Sequence, residues 1–178
     1  MKSRIAGLTV LGVAVLGLSA CTIEFSTAQA ADPVPCTADD IQADVTLQPQ
    51  FSSPVGLVAL TNASERECTL NGRAAVTLTN AADENVPVAT TSVDQPGPAV
   101  SFVLPAGATA FEGIKWTPCS KGDESCGVGN GLRVTLPGSD VPLNAELSGF
   151  PAPEKNDITM SSLQVGTVQA SRQGVVAW

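Results

Sequence analysis

The sequence predicts an all-β domain, an immunoglobulin-like antiparallel sandwich of about eight or nine strands. Three observations predict it. Apolar residues recur at every second position in short runs, and no long stretch keeps the 3.6-residue period of an amphipathic helix. Sixteen glycines and thirteen prolines punctuate the 178 residues. The runs therefore end in turn signals at the spacing a sandwich requires.

The strands follow in chain order. "DVTLQPQ" (44–50) opens the series, and "VGLVALTN" (55–62) is apolar enough for a central strand. "AAVTLTN" (74–80) turns Val76 and Leu78 to one face. "VPVATTSV" (86–93) holds Pro87 and belongs at a sheet edge, because proline has no N–H to give a ladder. "AVSFVLP" (99–105) aligns Val100, Phe102 and Leu104. "ATAFEGIKW" (108–116) aligns Ala110, Ile114 and Trp116, with Gly113 expected at a bulge and Trp116 in the core. "GLRVTLP" (131–137) alternates Leu132, Val134 and Leu136. "PLNAELSGF" (142–150) and "SSLQVGTVQA" (161–170) complete the set, separated by the polar loop "PAPEKNDI" (151–158). The one helical candidate is "TADDIQADV" (37–45), which Thr37 would cap with Asp40 nearby. Trp178 reads as an unburied tail.

The amino terminus supplies an address. Lys2 and Arg4 precede Ile5–Leu18, a run without a single charge. A basic start and an apolar region of this size form a secretory signal peptide. A permanent span needs roughly 20 apolar residues, so this run is short for one. The order Leu18-Ser19-Ala20-Cys21 resembles the bacterial lipobox. That resemblance implies a diacylglycerol thioether on Cys21 and cleavage just before it. The competing reading is a simple signal cut after "AQA" (28–30), with Cys21 discarded. Each buried methylene contributes about 0.8 kcal/mol, so two or three acyl chains would hold the protein at the membrane permanently. The expected organisation is a lipoprotein signal peptide at 1–20, a lipid-anchored flexible tether at 21–35, and the sandwich at 36–178. The expected location is the extracytoplasmic face of a bacterial cytoplasmic membrane.

The full chain carries a formal charge of −8; without Lys2 and Arg4, seven basic residues face seventeen acidic ones, a charge of −10. Such a domain repels phosphate backbones, so no nucleic-acid partner is expected. The expected partners are the membrane, through the anchor, and an envelope protein or cell-wall component.

Setting Cys21 aside leaves Cys36, Cys68, Cys119 and Cys126. An even number in an exported chain argues for two disulfides, with three pairings open. Cys36–Cys68 with Cys119–Cys126 is favoured. The first joins the start of the domain to an early turn, and the second staples "CSKGDESC" (119–126). The chain-entropy model gives them about 3.7 and 2.5 kcal/mol.

The absence of histidine removes Ser-His-Asp and Cys-His nucleophiles and imidazole zinc sites. There is no tyrosine, and no Cys-x-x-Cys pair. No metal, cofactor or catalytic residue is expected. "CGVGNG" (126–131) lacks a following Lys-Ser/Thr, so it reads as a turn rather than a phosphate cradle. Asp123 and Glu124 read as solvated loop charges rather than calcium ligands. "NAS" (62–64) matches a glycosylation sequon but carries little meaning in a bacterial lipoprotein. The expected function is a non-catalytic extracytoplasmic binding or interaction module at the cell surface. The alternatives are a structural envelope lipoprotein and a cell-wall hydrolase driven by two distant carboxylates.

One constellation goes beyond composition. Cys36 is followed by "ALTNASERECTLNGRAAVTL" (59–78), "LPAGATAFEGIKW" (104–116), and Cys126 ahead of "LRVTLPG" (132–138). In order and spacing this resembles the domain of unknown function 4232, a family of exported and lipid-anchored actinobacterial proteins, from about Cys36 to Val168. In that pattern Asn62 closes a turn through its side chain and Cys68 staples the turn to Cys36. Gly72 takes a positive φ, and Pro105 and Gly107 bend the chain into the Trp116 strand. The chain departs in having Ala74 where proline is usual. It also lacks the late cysteine near "MSSLQV" (160–165); Cys119 stands in as the partner of Cys126. The resemblance implies architecture and location, and no activity.

Overall fold

The structure, a computed structural model, describes residues 34–152, 155 and 157–177. Cys21, with the whole signal region, and Trp178 lie outside the described residues. Among the described residues no helix is long and apolar enough to cross a membrane.

The segment 37–45, expected to be helical, is not. Only Ala38–Asp40 winds, as one 3-10 turn, and strand β1 (Ile41–Leu47) begins at once. Ile41, Ala43 and Val45 are buried while Gln42, Asp44 and Thr46 are exposed or half-buried, so a period of two decides the conformation. β1 runs antiparallel to β2 (Val55–Asn62), with Val45 opposite Val58 and Ala43 opposite Leu60. The neighbour of β2 on its other side is β8 (Thr109–Thr117), which in turn pairs with β14 (Ser162–Val165). The edges of this sheet are β12 (Glu146–Ser148) beside β1 and β6 (Ala89–Ser92) beside β14. Both edge pairs are parallel, where an antiparallel sandwich was expected. Each edge strand arrives by crossing from the opposite layer, and that reverses its direction relative to a hairpin.

The opposite layer is assembled from three smaller sheets. β4 (Ala75–Thr79) lies between β10 (Gly131–Thr135) and the two-residue β5 (Asn85–Val86), with β11 (Pro142–Asn144) beyond β10. β9 (Gly127–Gly129) pairs with β13 (Ile158–Met160), and β3 (Cys68–Asn71) pairs with β7 (Ser101–Leu104). The result is a sandwich-like arrangement without a closed barrel, and among the described residues it has more strands than expected. "PLNAELSGF" is two strands in different layers, switching at Ala145, and "CGVGNG" is not a plain turn, because β9 lies inside it. Gly129 permits that strand. A Cβ on it would sit 2.5 Å from the Thr79 carbonyl oxygen. Gly113 makes no bulge; it stands in register opposite Leu57, and its carbonyl accepts from Gly166 N at 2.9 Å.

The core lies between the layers. Val45, Val58, Leu60, Ala110, Ile114 and Leu163 meet Leu70, Val76, Leu78, Leu132, Val134 and Met160, all buried. Fully burying one such aliphatic side chain contributes about 1.5–3 kcal/mol, against the conformational entropy lost on folding. Trp116 is buried as expected, and its ring stacks on Phe150 with centroids 5.8 Å apart. Both favoured disulfides are present, Cys36–Cys68 and Cys119–Cys126. Backbone pairing begins slightly before the expected domain boundary, because Thr69 N donates to Val34 O at 2.9 Å.

Candidate functional site

Two places in the sandwich hold a buried carboxylate, and they differ in how that group is satisfied. The first surrounds the Cys36–Cys68 disulfide. Asp40 Oδ2 accepts from the Thr37 backbone N–H at 2.8 Å and the Thr37 hydroxyl at 2.7 Å, and it pairs with the Arg66 guanidinium. The Thr37 bonds, with Arg66 beside them, hold the Asp40 carboxyl below the usual carboxylate range. Asn62, fully buried, donates through Nδ2 to Arg66 O at 2.8 Å and Leu104 O at 3.0 Å. Its Oδ1 accepts from Ser64 N and Ser64 Oγ at 3.1 and 2.7 Å. The expected turn closure by Asn62 is thus present, as are the positive φ of Gly72, at 101°, and the bend at Pro105 and Gly107.

The second place is the seam where β4 of one layer approaches β6 of the other. Behind its Arg73–Ala74 end lies Glu112, bonded to the Ala74 N–H, and the strand alternation already contains it. Residues 110, 112, 114 and 116 share one face of β8, so a carboxylate stands between Ala110 and Ile114, facing the core. Glu112 is 0% exposed. Its Oε1 accepts from the Ala74 N–H at 3.1 Å, and its Oε2 has no hydrogen-bond partner. Burial pushes its carboxyl well above the ordinary 4.5, and the Ala74 bond and the nearby Arg73 charge oppose that only in part. Arg73 is committed elsewhere. Its Nε donates to Gly166 O at 2.7 Å, and one terminal nitrogen donates to Val93 O and to Asp94 at 3.0 and 2.7 Å. Thr167 donates to Gln95 O and Gly97 O at 3.1 and 2.9 Å, in an exclusive-or choice for its one hydroxyl proton. These contacts pin the segment that follows β6.

Along the seam run two adjoining hollows, of about 240 and 370 Å³, both bordered by Val76, Thr77 and Thr90. Leu163 lines the first and Val165 the second, so both lie over the core. The Val86-Pro87-Val88 crossover bounds one end, and Arg73 with Ala74 bounds the other. Beyond the crossover a shallower depression continues past Ala89 to Glu124 and Cys126. Small-molecule pockets span about 300–1,000 Å³ and enclose most of their ligand. The first hollow falls below that range and the second at its low end, and because the two adjoin, together they suit an extended occupant better than a compact one.

The sequence-predicted residues divide accordingly. Cys36 and Cys68 brace the first place, at 5% and 0% exposure. Cys126 lines the depression beyond the seam, joined to the half-buried Cys119. Asp123 and Glu124 are exposed, and no cluster of metal-ligating side chains occurs among the described residues. Cys21 lies outside them. Sequence reasoning missed Glu112, although the same period that aligned Ala110, Ile114 and Trp116 would have found it.

No curated protein and no solved structure matches the chain. A family model described as "Domain of unknown function (DUF4232)" matches residues 36–169, covering the disulfides, the Asn62 turn, Glu112 and the seam, and the chain belongs to that family.

Proposed function

We propose that this protein is an extracytoplasmic lipoprotein, anchored through Cys21, whose β-sandwich is a non-catalytic binding module. One observation carries the binding role: the seam between β4 and β6 holds two adjoining open hollows, floored by the nearly buried Val76, Leu163 and Val165 and rimmed by the polar Thr77, Thr90 and Ser92. Apolar floor and polar rim are the anatomy of a recognition surface. A carboxylate-driven hydrolase finds less support. Glu112 has the raised pKa an acid catalyst needs, yet it is 0% exposed and closed off from solvent. A purely structural lipoprotein has no use for the groove.

The test is a photo-crosslinking amino acid placed at Thr77, on the groove rim, or at Gln42, on β1 toward the opposite edge of the six-stranded sheet from β6, in the natural host. Adducts from Thr77 and not Gln42 are expected, retained in the membrane fraction for the native chain and shed with Cys21→Ser. Equal adducts from both positions would remove the groove from the reading. Unchanged membrane retention of Cys21→Ser would remove the lipid anchor.

A further inference from the structure

The seam is bordered by unpaired backbone, and its direction is readable. Val93 N donates to Val165 O at 2.9 Å, toward β14. Backbone groups two residues apart in a strand point the same way, so Thr91 also faces β14, while Thr90 and Ser92 turn their N–H and C=O outward. No strand lies on that side of β6, and all four of its residues are exposed. On the opposite wall, Asn80 N donates to Glu84 O, which sets the even-numbered residues of β4 toward β5. Val86 of β5 stands opposite Leu78, and the Glu112 carboxylate takes the Ala74 N–H. Val76, between them, pairs with Val134 of β10 on one side and has no strand beside it on the β5 side.

Edges of this kind are ordinarily blunted by charge, proline or a bulge. The other edge of the same sheet, β12, carries Glu146. The β6 strand reads Ala-Thr-Thr-Ser, with no charge and no proline inside it. Its threonines favour an extended backbone.

We propose that β6 accepts an extended segment of a partner protein as an added strand, with alternate apolar side chains of that segment seated over Val76, Leu163 and Val165 and a basic residue near Glu124. The inference rests on the binding role given above and names the chemistry of the occupant. Main-chain hydrogen bonding supplies the attraction, and the hollows under alternate side chains supply the selectivity. Charge chooses the partner. Glu124 borders the depression at the Ala89 end and forms no ion pair among the described residues. A second copy of this acidic chain would bring like charge to the same place, and a basic segment would not.

The experiment uses a random octapeptide library displayed on phage, panned against the chain and against Thr90→Pro. That substitution removes an outward N–H and leaves the bonds to β14 in place. Enriched peptides should alternate apolar residues, carry Lys or Arg at one end, and bind Thr90→Pro at least tenfold more weakly. Synthetic versions N-methylated at single positions give a readout that does not depend on the variant's folding. Methylation should weaken binding at least tenfold at every second residue and little at those between. A flat methylation profile, or enrichment equal on both proteins, overturns strand addition while leaving a binding role at the groove intact. Self-association of the free chain at the β6 edge, seen as concentration-dependent shifts of the Thr90 and Ser92 amide resonances, would assign the edge to a second copy and overturn the proposal.

Discussion

Asp40 and Glu112 are both buried carboxylates beside a backbone N–H and an arginine, and the fold treats them in opposite ways. Asp40 collects three donors at one oxygen, so its charged form is the stable one. Glu112 has one donor for two oxygens, and the arginine at its side is spent on carbonyls and Asp94. The difference extends to the regions they occupy. Around Asp40 and Asn62 the polar side chains are satisfied and a disulfide ties the turn down. Around Glu112 the seam keeps a bare carboxylate oxygen and strand edges with nothing opposite them. Buried polar groups with full partners fix a geometry, whereas groups left short lower stability where they stand. The braced end reads as scaffold and the seam as the place where stability is given up.

The largest expected effect tests the brace. Replacing both Cys36 and Cys68 by alanine should lower the unfolding free energy by about 3.7 kcal/mol on the chain-entropy model. Replacing Cys119 and Cys126 should cost about 2.5 kcal/mol, because that loop closes over a sequence separation of only 7 against 32. Urea unfolding of the two double variants checks the order. A greater loss from the short loop would place the brace at the wrong end.

The next test breaks the contrast at Glu112 itself. With its folded-state pKa raised, the folded chain holds a proton that the unfolded chain releases above the ordinary 4.5. Stability therefore falls as pH rises from about 4.5 toward the raised value, by about 1.4 kcal/mol per pH unit, and levels off above it. Glu112→Gln keeps an acceptor for the Ala74 N–H and has no proton to lose. It should match the native chain at pH 4 and exceed its stability at pH 7, without that decline. Urea midpoints across pH 4–8 decide it. A Glu112→Gln variant less stable at pH 7 would show that the charged form is satisfied by a group other than those seen.

How much of this was legible in the sequence depends on the range of the forces involved. β2 was readable to the residue because Val55–Leu60 is apolar throughout and Asn62 ends it with its own hydrogen bonds. The early disulfide was readable because Cys68 follows a turn with a visible signature and Cys36 opens the domain. β3, β9 and β13 were not, since strands of three or four residues take their conformation from partners far along the chain. β9 is the clearest case, because its glycines look like a turn until Ile158–Met160 and the Thr79 carbonyl press against them. The 37–45 segment misled for the opposite reason: local capping by Thr37 and Asp40 is real, but it governs one turn, and sheet pairing with β2 takes over at Ile41. At the seam, Pro87 correctly announced an edge. Nothing local said that the edge would face a gap, because β4 and β6 meet only through the crossover between layers.

The smallest effect completes the pair. Asp40 has its folded-state pKa lowered, so its contribution is fully present above the ordinary 3.8 and is lost as pH falls through the lowered value. Asp40→Asn retains an oxygen for the Thr37 N–H and hydroxyl but gives up the charge that strengthens those bonds and the pairing with Arg66. It should cost about 1 kcal/mol at pH 7, the difference between charge-assisted and neutral hydrogen bonds, partly offset because Arg66 is 43% exposed and screened. Below the lowered pKa both side chains are neutral and the two proteins should converge. The joint contribution of these two carboxylates is then greatest near pH 4, declining on the neutral side through Glu112 and on the acid side through Asp40. If Asp40→Asn flattened the neutral limb instead, the two carboxylates would be coupled through the fold, and the division into a satisfied end and an unsatisfied seam would fail.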